Sequence, residues 1–194
     1  MVDTHPAPQV LLSPEEISRH VEAIARKLAP ELAHDAVAVC LLIGGLWFAA
    51  DLTRALARLG CPLAFEGLWL TSYGDATTSA GRCDVRAGPQ RSVSGRHVLI
   101  MDDVIDSGLS LAEAARLLTE AGATRVTTVV FARKPWPGRV LEPDHVAWEA
   151  PSRFLVGYGM DLAGGFRGLP YVGVVEPADE LDDVSLKRLN PAHS

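Results

Sequence analysis

Only three cysteines, Cys40, Cys61 and Cys83, occur in the 194 residues, and none pairs as C-x-x-C. That is too few and too scattered for a disulfide framework, and Cys40, inside an apolar run, reads as a buried thiol. A basic excess is also missing. Eighteen Lys and Arg stand against 24 Asp and Glu, for a net charge of -6. This argues against a domain devoted to gripping nucleic acid, while small anionic substrates need only local positive groups. The longest apolar stretch, residues 36–50, has 15 residues broken by Gly44 and Gly45, whereas a membrane span needs about 20. The opening MVDTHPAPQV has no cationic region followed by an apolar one, so no secretory signal is expected. Repeats and low-complexity segments are absent. These absences predict a soluble, reduced, cytoplasmic protein with no nucleic-acid and no membrane partner.

What is present is globular: 48% hydrophobic and 22% charged residues. A chain of this length forms one domain that buries about 70% of its unfolded surface. Ser13-Pro14-Glu15-Glu16 is a helix start, with Ser13 as cap, Pro14 in the first position and Glu16 closing a capping box. Ile17, Val21, Ile24 and Leu28 follow at helical spacing up to Pro30. AVAVCLLI (36–43) reads as a strand buried on both faces. Residues 46–59 read as a helix, 63–71 as a strand, 97–101 as a strand, 109–121 as a helix and 125–132 as a strand. Short strands are predicted at 144–148, 154–158 and 171–175. Residues 72–95 are rich in Gly, Ser, Thr, Arg, Asp and Pro, and so long a polar stretch reads as a functional flap. This alternation predicts an α/β fold with a parallel, doubly wound sheet and a hood formed by one or both chain ends.

The chemistry concentrates in VLIMDDVIDSGLS (98–110). An apolar strand delivers Asp102 and Asp103 at its carboxyl end, where open α/β sheets bind ligands. A tight Asp-Ser-Gly-Leu-Ser turn then opens a helix, and its amides with the helix dipole make a phosphate cradle. The hydroxyls of Ser107 and Ser110 add donors. The acid pair suits ribose hydroxyls or a hydrated Mg²⁺. Together these describe a site for a phosphorylated sugar with a metal. Taken singly, each residue also reads as part of an acidic surface loop with Ser110 as a cap. Asp102-Asp103-x-x-Asp106 spells the DDxxD of isoprenyl diphosphate synthases, but there it lies on a helix. A receiver domain's acid pair follows its first strand, and none follows residue 43 here.

The stretch VLIMDDVIDSGLSL resembles the phosphoribosyl pyrophosphate motif of type I phosphoribosyltransferases. FLVGYGMDLAGGFRGLPYVGV (154–174) is similar to a segment of the hypoxanthine-guanine branch. Leu42-Ile43-Gly44-Gly45 with Phe48 to Asp51, and Thr71-Ser72-Tyr73-Gly74, match in order. The resemblance implies the type I fold over 10–176: a central mostly parallel sheet flanked by helices, a small hood, a long flexible flap at about 72–95, and a polar tail at 177–194. It implies purine salvage, with Mg²⁺-dependent transfer of phosphoribosyl from phosphoribosyl pyrophosphate to N9 of hypoxanthine or guanine. A xanthine-preferring enzyme and a nucleotide-sensing RNA-binding regulator are the alternatives on that fold. A homodimer or homotetramer is expected.

The same resemblance implies roles for individual residues. Asp102 and Asp103 sit by the ribose hydroxyls and the metal, and Asp106 is the general base for the purine N7 proton. Ser107, Gly108, Leu109 and Ser110 bind the 5′-phosphate. Gly44 and Gly45 offer main-chain amides to pyrophosphate. Lys134 donates to the purine 6-oxygen, Phe154 stacks on the base, and the Leu155 main chain meets its edge. Asp161 holds a second Mg²⁺, Arg167 contacts pyrophosphate, and Ser72 and Tyr73 begin the flap. Three positions depart from the family: Ile43 where Lys or Arg is usual, Asp102 for Glu, and Leu162 for Tyr. Ile43 removes a cation beside the pyrophosphate loop and so implies weaker binding there.

Overall fold

The computed structural model describes residues 8–72 and 83–175. It opens with β1 (Gln9–Leu12), a strand too short to show in the hydrophobic pattern. Helix α1 (Pro14–Leu28) starts at the expected box. Ser13 N–H donates to Glu16 Oε2 at 2.9 Å and Glu16 N–H to Ser13 Oγ at 3.3 Å. Its stripe of Ile17, Val21, Ile24, Ala25 and Leu28 is buried, and each large side chain there contributes about 1.5–3 kcal/mol. Then come β2 (Val37–Leu42), α2 (Leu46–Arg58), β3 (Ala64–Ser72), β4 (Cys83–Ala87) and β5 (His97–Ile105). Helix α3 (Leu109–Glu120), β6 (Arg125–Arg133), β7 (His145–Glu149), β8 (Leu155–Val156) and β9 (Val172–Val174) complete the order.

Six strands form the central sheet in the order β4-β3-β2-β5-β6-β7, and all its pairings except β3–β4 are parallel. Alternate side chains of β2 divide the core as a twofold strand repeat requires. Ala38 and Cys40 pack with α1 and α2, whereas Val37, Val39 and Leu41 pack with α3. The expected doubly wound sheet is therefore present. The hood is a second sheet, β1-β9-β8, antiparallel throughout, so both ends of the domain build it. An aromatic cluster ties it to the sheet: the Phe131 ring stands 4.9 Å from Tyr158 and 5.6 Å from Phe48.

Two expectations change. First, β5 does not stop at Met101 but runs through the acid pair to Ile105. β6 is equally long and holds it in register, Asp102 opposite Val130 and Val104 opposite Ala132. Second, part of the segment expected as a flap over 72–95 is held against the sheet. Residues 83–87 pair antiparallel with β3, Thr71 opposite Asp84. Beyond them, Gln90 N–H donates to Glu66 Oε2 at 2.9 Å, Arg91 pairs with Glu66 at 3.0 Å, and Val93 is buried. The remaining part of the expected flap, 73–82 with Tyr73, lies outside the described residues, as does the expected tail.

Candidate active site

The carboxyl ends of β2, β5 and β6 meet at one edge of the sheet, beneath the hood. After β2, a cis Leu42–Ile43 peptide leads into Gly44 and Gly45. Neither glycine leaves room for a side chain. A Cβ on Gly44 would stand 2.3 Å from Asp103 Oδ2, and one on Gly45 would stand 2.8 Å from the Leu41 carbonyl oxygen. From the hood side, Gly159 (φ +100°) is as close, since a Cβ there would lie 2.1 Å from the Gly44 carbonyl oxygen. Two bare main-chain segments, Gly44-Gly45 and Gly159, thus close on each other beside the acid pair.

Asp103 is buried and Asp102 half-buried. Asp102 Oδ1 accepts from Asp103 N–H at 3.0 Å, and Asp103 Oδ1 accepts from Val104 N–H at 2.9 Å. Burial pushes both carboxyls above the usual carboxylate range, and the Asp103 charge adds to the rise at Asp102. No ion pair reaches either among the described residues. Two neighbouring carboxylates, costly as bare anions, are a fitting donor set for a hard divalent cation completed by substrate oxygens. Among the described residues no cluster of three or more His, Cys, Asp or Glu exists to form a full cage. Beneath the pair, burial pushes the Cys40 thiol to about 12, so it stays protonated.

Beyond β5, Gly108 takes φ +81° as the cap residue of α3. The first helical bond is Ala112 N–H to the Gly108 carbonyl at 2.9 Å, so the amides of Leu109, Ser110 and Leu111 precede the ladder. No acidic side chain lies in that first turn. The amides and the helix dipole form an anion cradle, with Ser107 and Ser110 at its rim.

Beside the cradle opens a cavity of about 370 Å³, lined by Asp106, Lys134, Trp136, Phe154 and Val175 among others. Lys134 Nζ stands 3.5 Å from Asp106 Oδ2 and 6.0 Å from the centroid of the Phe154 ring. Phe154 is 45% exposed. Asp106 Oδ1 is buried and accepts no hydrogen bond. Leu155 is buried in the core, pairs with Val174 and does not itself line the cavity. On the far side of the acid pair, Arg167 donates to the Gly159 carbonyl at 2.6 Å and pairs with Asp161 Oδ1 at 2.6 Å. Asp161 Oδ2 accepts from Gly164 N–H at 2.7 Å.

The structure therefore brings Gly44, Gly45, Asp102 and Asp103 together, with Asp161 and Arg167 joined to them through Gly159. It brings Asp106, Lys134 and Phe154 to one cavity. Ser72 ends β3 opposite Cys83, and Tyr73 lies outside the described residues. Two residues escaped the sequence: Trp136, half-exposed in the cavity wall, and Arg139, buried behind it. Both lie in KPWPGR, where the Pro-Gly setting marks a loop and nothing local marks a side chain turned inward.

A model of the phosphoribosyl transferase domain matches residues 11–161. The hypoxanthine-guanine phosphoribosyltransferase of Bacillus subtilis is 35% identical over 176 residues, 90% of this chain and 96% of that protein. The chain belongs to the hypoxanthine-guanine phosphoribosyltransferase family. The Mycobacterium tuberculosis enzyme of the same name is 32% identical, with 87% of this chain and 86% of that protein aligned. Among solved structures, the Trypanosoma cruzi hypoxanthine phosphoribosyltransferase in complex with the product IMP matches with a TM-score of 0.82 at 28% identity. It covers 91% of this chain and 99% of its own. The mostly parallel sheet with its hood is the fold of these type I enzymes.

Proposed function

We propose that this protein transfers the phosphoribosyl group of phosphoribosyl pyrophosphate to N9 of hypoxanthine or guanine, a purine-salvage reaction that releases pyrophosphate. One observation carries the choice of base. Asp106, with its Oδ2 3.5 Å from the Lys134 ammonium, and Lys134 itself stand side by side on a cavity with an exposed aromatic ring. An acceptor and a cationic donor at one aromatic wall match a purine that presents N7–H beside a 6-oxygen. Adenine would set its amino group against the ammonium, donor against donor, and leave buried polar groups unpaired.

Each remaining group has a place in the same step. The amides of Ser107, Gly108, Leu109 and Ser110 hold the 5′-phosphate, and Asp102 and Asp103 the ribose hydroxyls. Phe154 stacks on the base and the Leu155 main chain meets its edge. The Gly44 amide and Arg167 hold pyrophosphate, whereas the Gly45 N–H, expected to share in this, is already given to the Leu41 carbonyl at 3.1 Å. Asp102 and Asp103 would also hold Mg²⁺, and Asp161 would flank a second ion. When bound, the metal neutralises charge on the leaving pyrophosphate. The C1′–N9 bond forms as the bond from C1′ to pyrophosphate oxygen breaks, and pyrophosphate departs with that electron pair. The N7 proton passes to the Asp106 carboxylate. Lys134 steadies the 6-oxygen while charge shifts across the ring.

We also place the enzyme in the cytoplasm as a homodimer or homotetramer. Ile43, Leu46, Phe65 and Trp69 are exposed near the pyrophosphate loop, an apolar face suited to a second copy. No described helix is long and apolar enough to cross a membrane. The test is a panel of hypoxanthine, guanine, xanthine, adenine and orotate with phosphoribosyl pyrophosphate and Mg²⁺. Turnover of hypoxanthine or guanine is expected. Turnover confined to adenine or orotate overturns the reading, and turnover confined to xanthine reassigns the base. Sedimentation of the same preparation reads the assembly.

A further inference from the structure

The side chain of Arg139, though ion-paired to Glu142, is only 4% exposed. A buried guanidinium must satisfy a rigid fork of five N–H donors. Here Nε donates to the Asp106 carbonyl at 2.8 Å, and a terminal nitrogen donates to the Lys134 carbonyl. The other terminal nitrogen meets both Glu142 carboxylate oxygens at 2.9 Å. Arg139 does not line the cavity. It sits behind it and grips the main chains of the two residues whose side chains face each other inside.

The need for such a grip follows from where the sheet ends. Ile105 opposite Arg133 is the last β5–β6 pair, and Lys134 N–H donates to the Ile105 carbonyl at 3.2 Å. Past that point the ladder no longer fixes the distance between Asp106 and Lys134. The loop after Lys134 takes over: Val140 N–H donates to the Ser107 carbonyl at 2.8 Å. Gly108 lies so close to this loop that a Cβ would stand 2.8 Å from the Leu141 carbonyl oxygen.

Resting on the function proposed above, we infer that Arg139 is a positioning residue: its planar fork bridges the Asp106 and Lys134 carbonyls and so sets the spacing of the acceptor and the cation that read the purine. Lysine cannot replace it, because one ammonium on a flexible stem keeps the charge toward Glu142 but not two fixed donors toward the carbonyls.

The experiment is a kinetic double-mutant cycle on the full chain, with Arg139→Lys and Arg139→Met each made in wild type and in Lys134→Met. In wild type, Arg139→Met should lower kcat with hypoxanthine by about 100-fold, the usual effect of an ~1 Å misplacement. Arg139→Lys should lose at least about 10-fold, with an unchanged melting temperature and a KM for phosphoribosyl pyrophosphate within about 3-fold. In Lys134→Met, either change should cost less than about 3-fold, because the spacing it guards no longer matters. Equal losses in both backgrounds, or an Arg139→Lys enzyme with wild-type kcat, overturn the inference even if Arg139→Met fails to fold. A wild type inactive toward every 6-oxopurine overturns the proposed function itself, and is told apart by the unmutated enzyme alone.

Discussion

Replacing Gly44 by alanine separates the needs of the fold from those of the site. Gly44 is not at positive φ, so alanine can adopt its backbone. The narrower unfolded ensemble alone would then stabilise the variant by about 0.4–1 kcal/mol. Against that, the added Cβ would lie 2.3, 2.7 and 2.8 Å from Oδ2, Cγ and Oδ1 of Asp103, where ordinary contact begins at 3.4 Å. The carboxylate must withdraw by about 1 Å. Withdrawal gives up the 2.9 Å bond from Val104 N–H, which costs about 1–3 kcal/mol for a buried charge-bearing group. The net loss of about 0–2.6 kcal/mol lowers the melting temperature by at most roughly 10 °C for a chain of this size. Activity should suffer far more. If Asp103 holds ribose and metal as proposed, an ~1 Å shift costs about 10² in kcat/KM, or about 2.7 kcal/mol. The assay is kcat and KM for phosphoribosyl pyrophosphate at several Mg²⁺ concentrations, beside a thermal melt. Gly88→Ala, with open space around its Cβ, serves as the control and should leave both unchanged. A Gly44→Ala enzyme within about 3-fold of wild-type kcat/KM would refute the steric reasoning and, with it, the place of Asp103 in the site.

Asp106→Asn keeps the shape of the side chain but removes the proton acceptor, and should lower kcat by about 10²–10⁴ with a modest change in base KM. Retention of normal kcat, with chemistry shown to limit the rate, would refute that role. Phe154→Ala should weaken purine and nucleotide binding by about 1–3 kcal/mol while pyrophosphate binding stays intact. Calorimetry with IMP and with pyrophosphate distinguishes this from a collapsed hood, which would cost both. His97 is buried, accepts from Ala33 N–H at 3.3 Å, and bonds Thr127 Oγ1 at 2.9 Å. Burial holds it below its usual 6.5. The unfolded chain therefore binds the extra proton first, and stability falls as pH drops below 6.5, by up to about 1.4 kcal/mol per unit until the folded imidazole titrates too. Melting temperatures from pH 7.5 to 5 should decline less in His97→Gln, and equal slopes would refute the assignment.

The acid pair and phosphate turn were legible because strand, carboxylates, turn and helix follow one another locally. Only the end of β5 was misplaced, since strand length there is set by β6, a partner the local pattern does not name. The purine cavity is different. Asp106, Lys134 and Phe154 come from three segments, and residue types and spacing alone read the last two as a surface charge and a core ring. Resemblance to a family put them in one site, and the hood closes the distance. The polar segment 83–95 looked free because neither CDVRA nor GPQRSVSG has an apolar rhythm. Its order comes from the open edge of β3 and from Glu66, both tertiary. Arg139 was illegible for the same reason: an arginine after Pro-Gly reads as solvated until the carbonyls it meets are known.

The departure at Ile43 follows from how the loop is built. Its shape lies in main chain, because Gly44 and Gly45 admit Asp103, the Leu41 carbonyl and the hood within distances no side chain would permit. Gly159 closes on the Gly44 carbonyl from above, so the loop is held by backbone on both sides. Its conformation does not require a particular side chain at position 43. Ile43 is 44% exposed and lies in sequence between buried β2 and the exposed Leu46 that opens α2. A cation there would add to pyrophosphate binding without being needed to shape the site. On the proposed function, Ile43→Lys is therefore expected to lower the KM for phosphoribosyl pyrophosphate and to weaken self-association together, and unchanged KM and sedimentation would refute both.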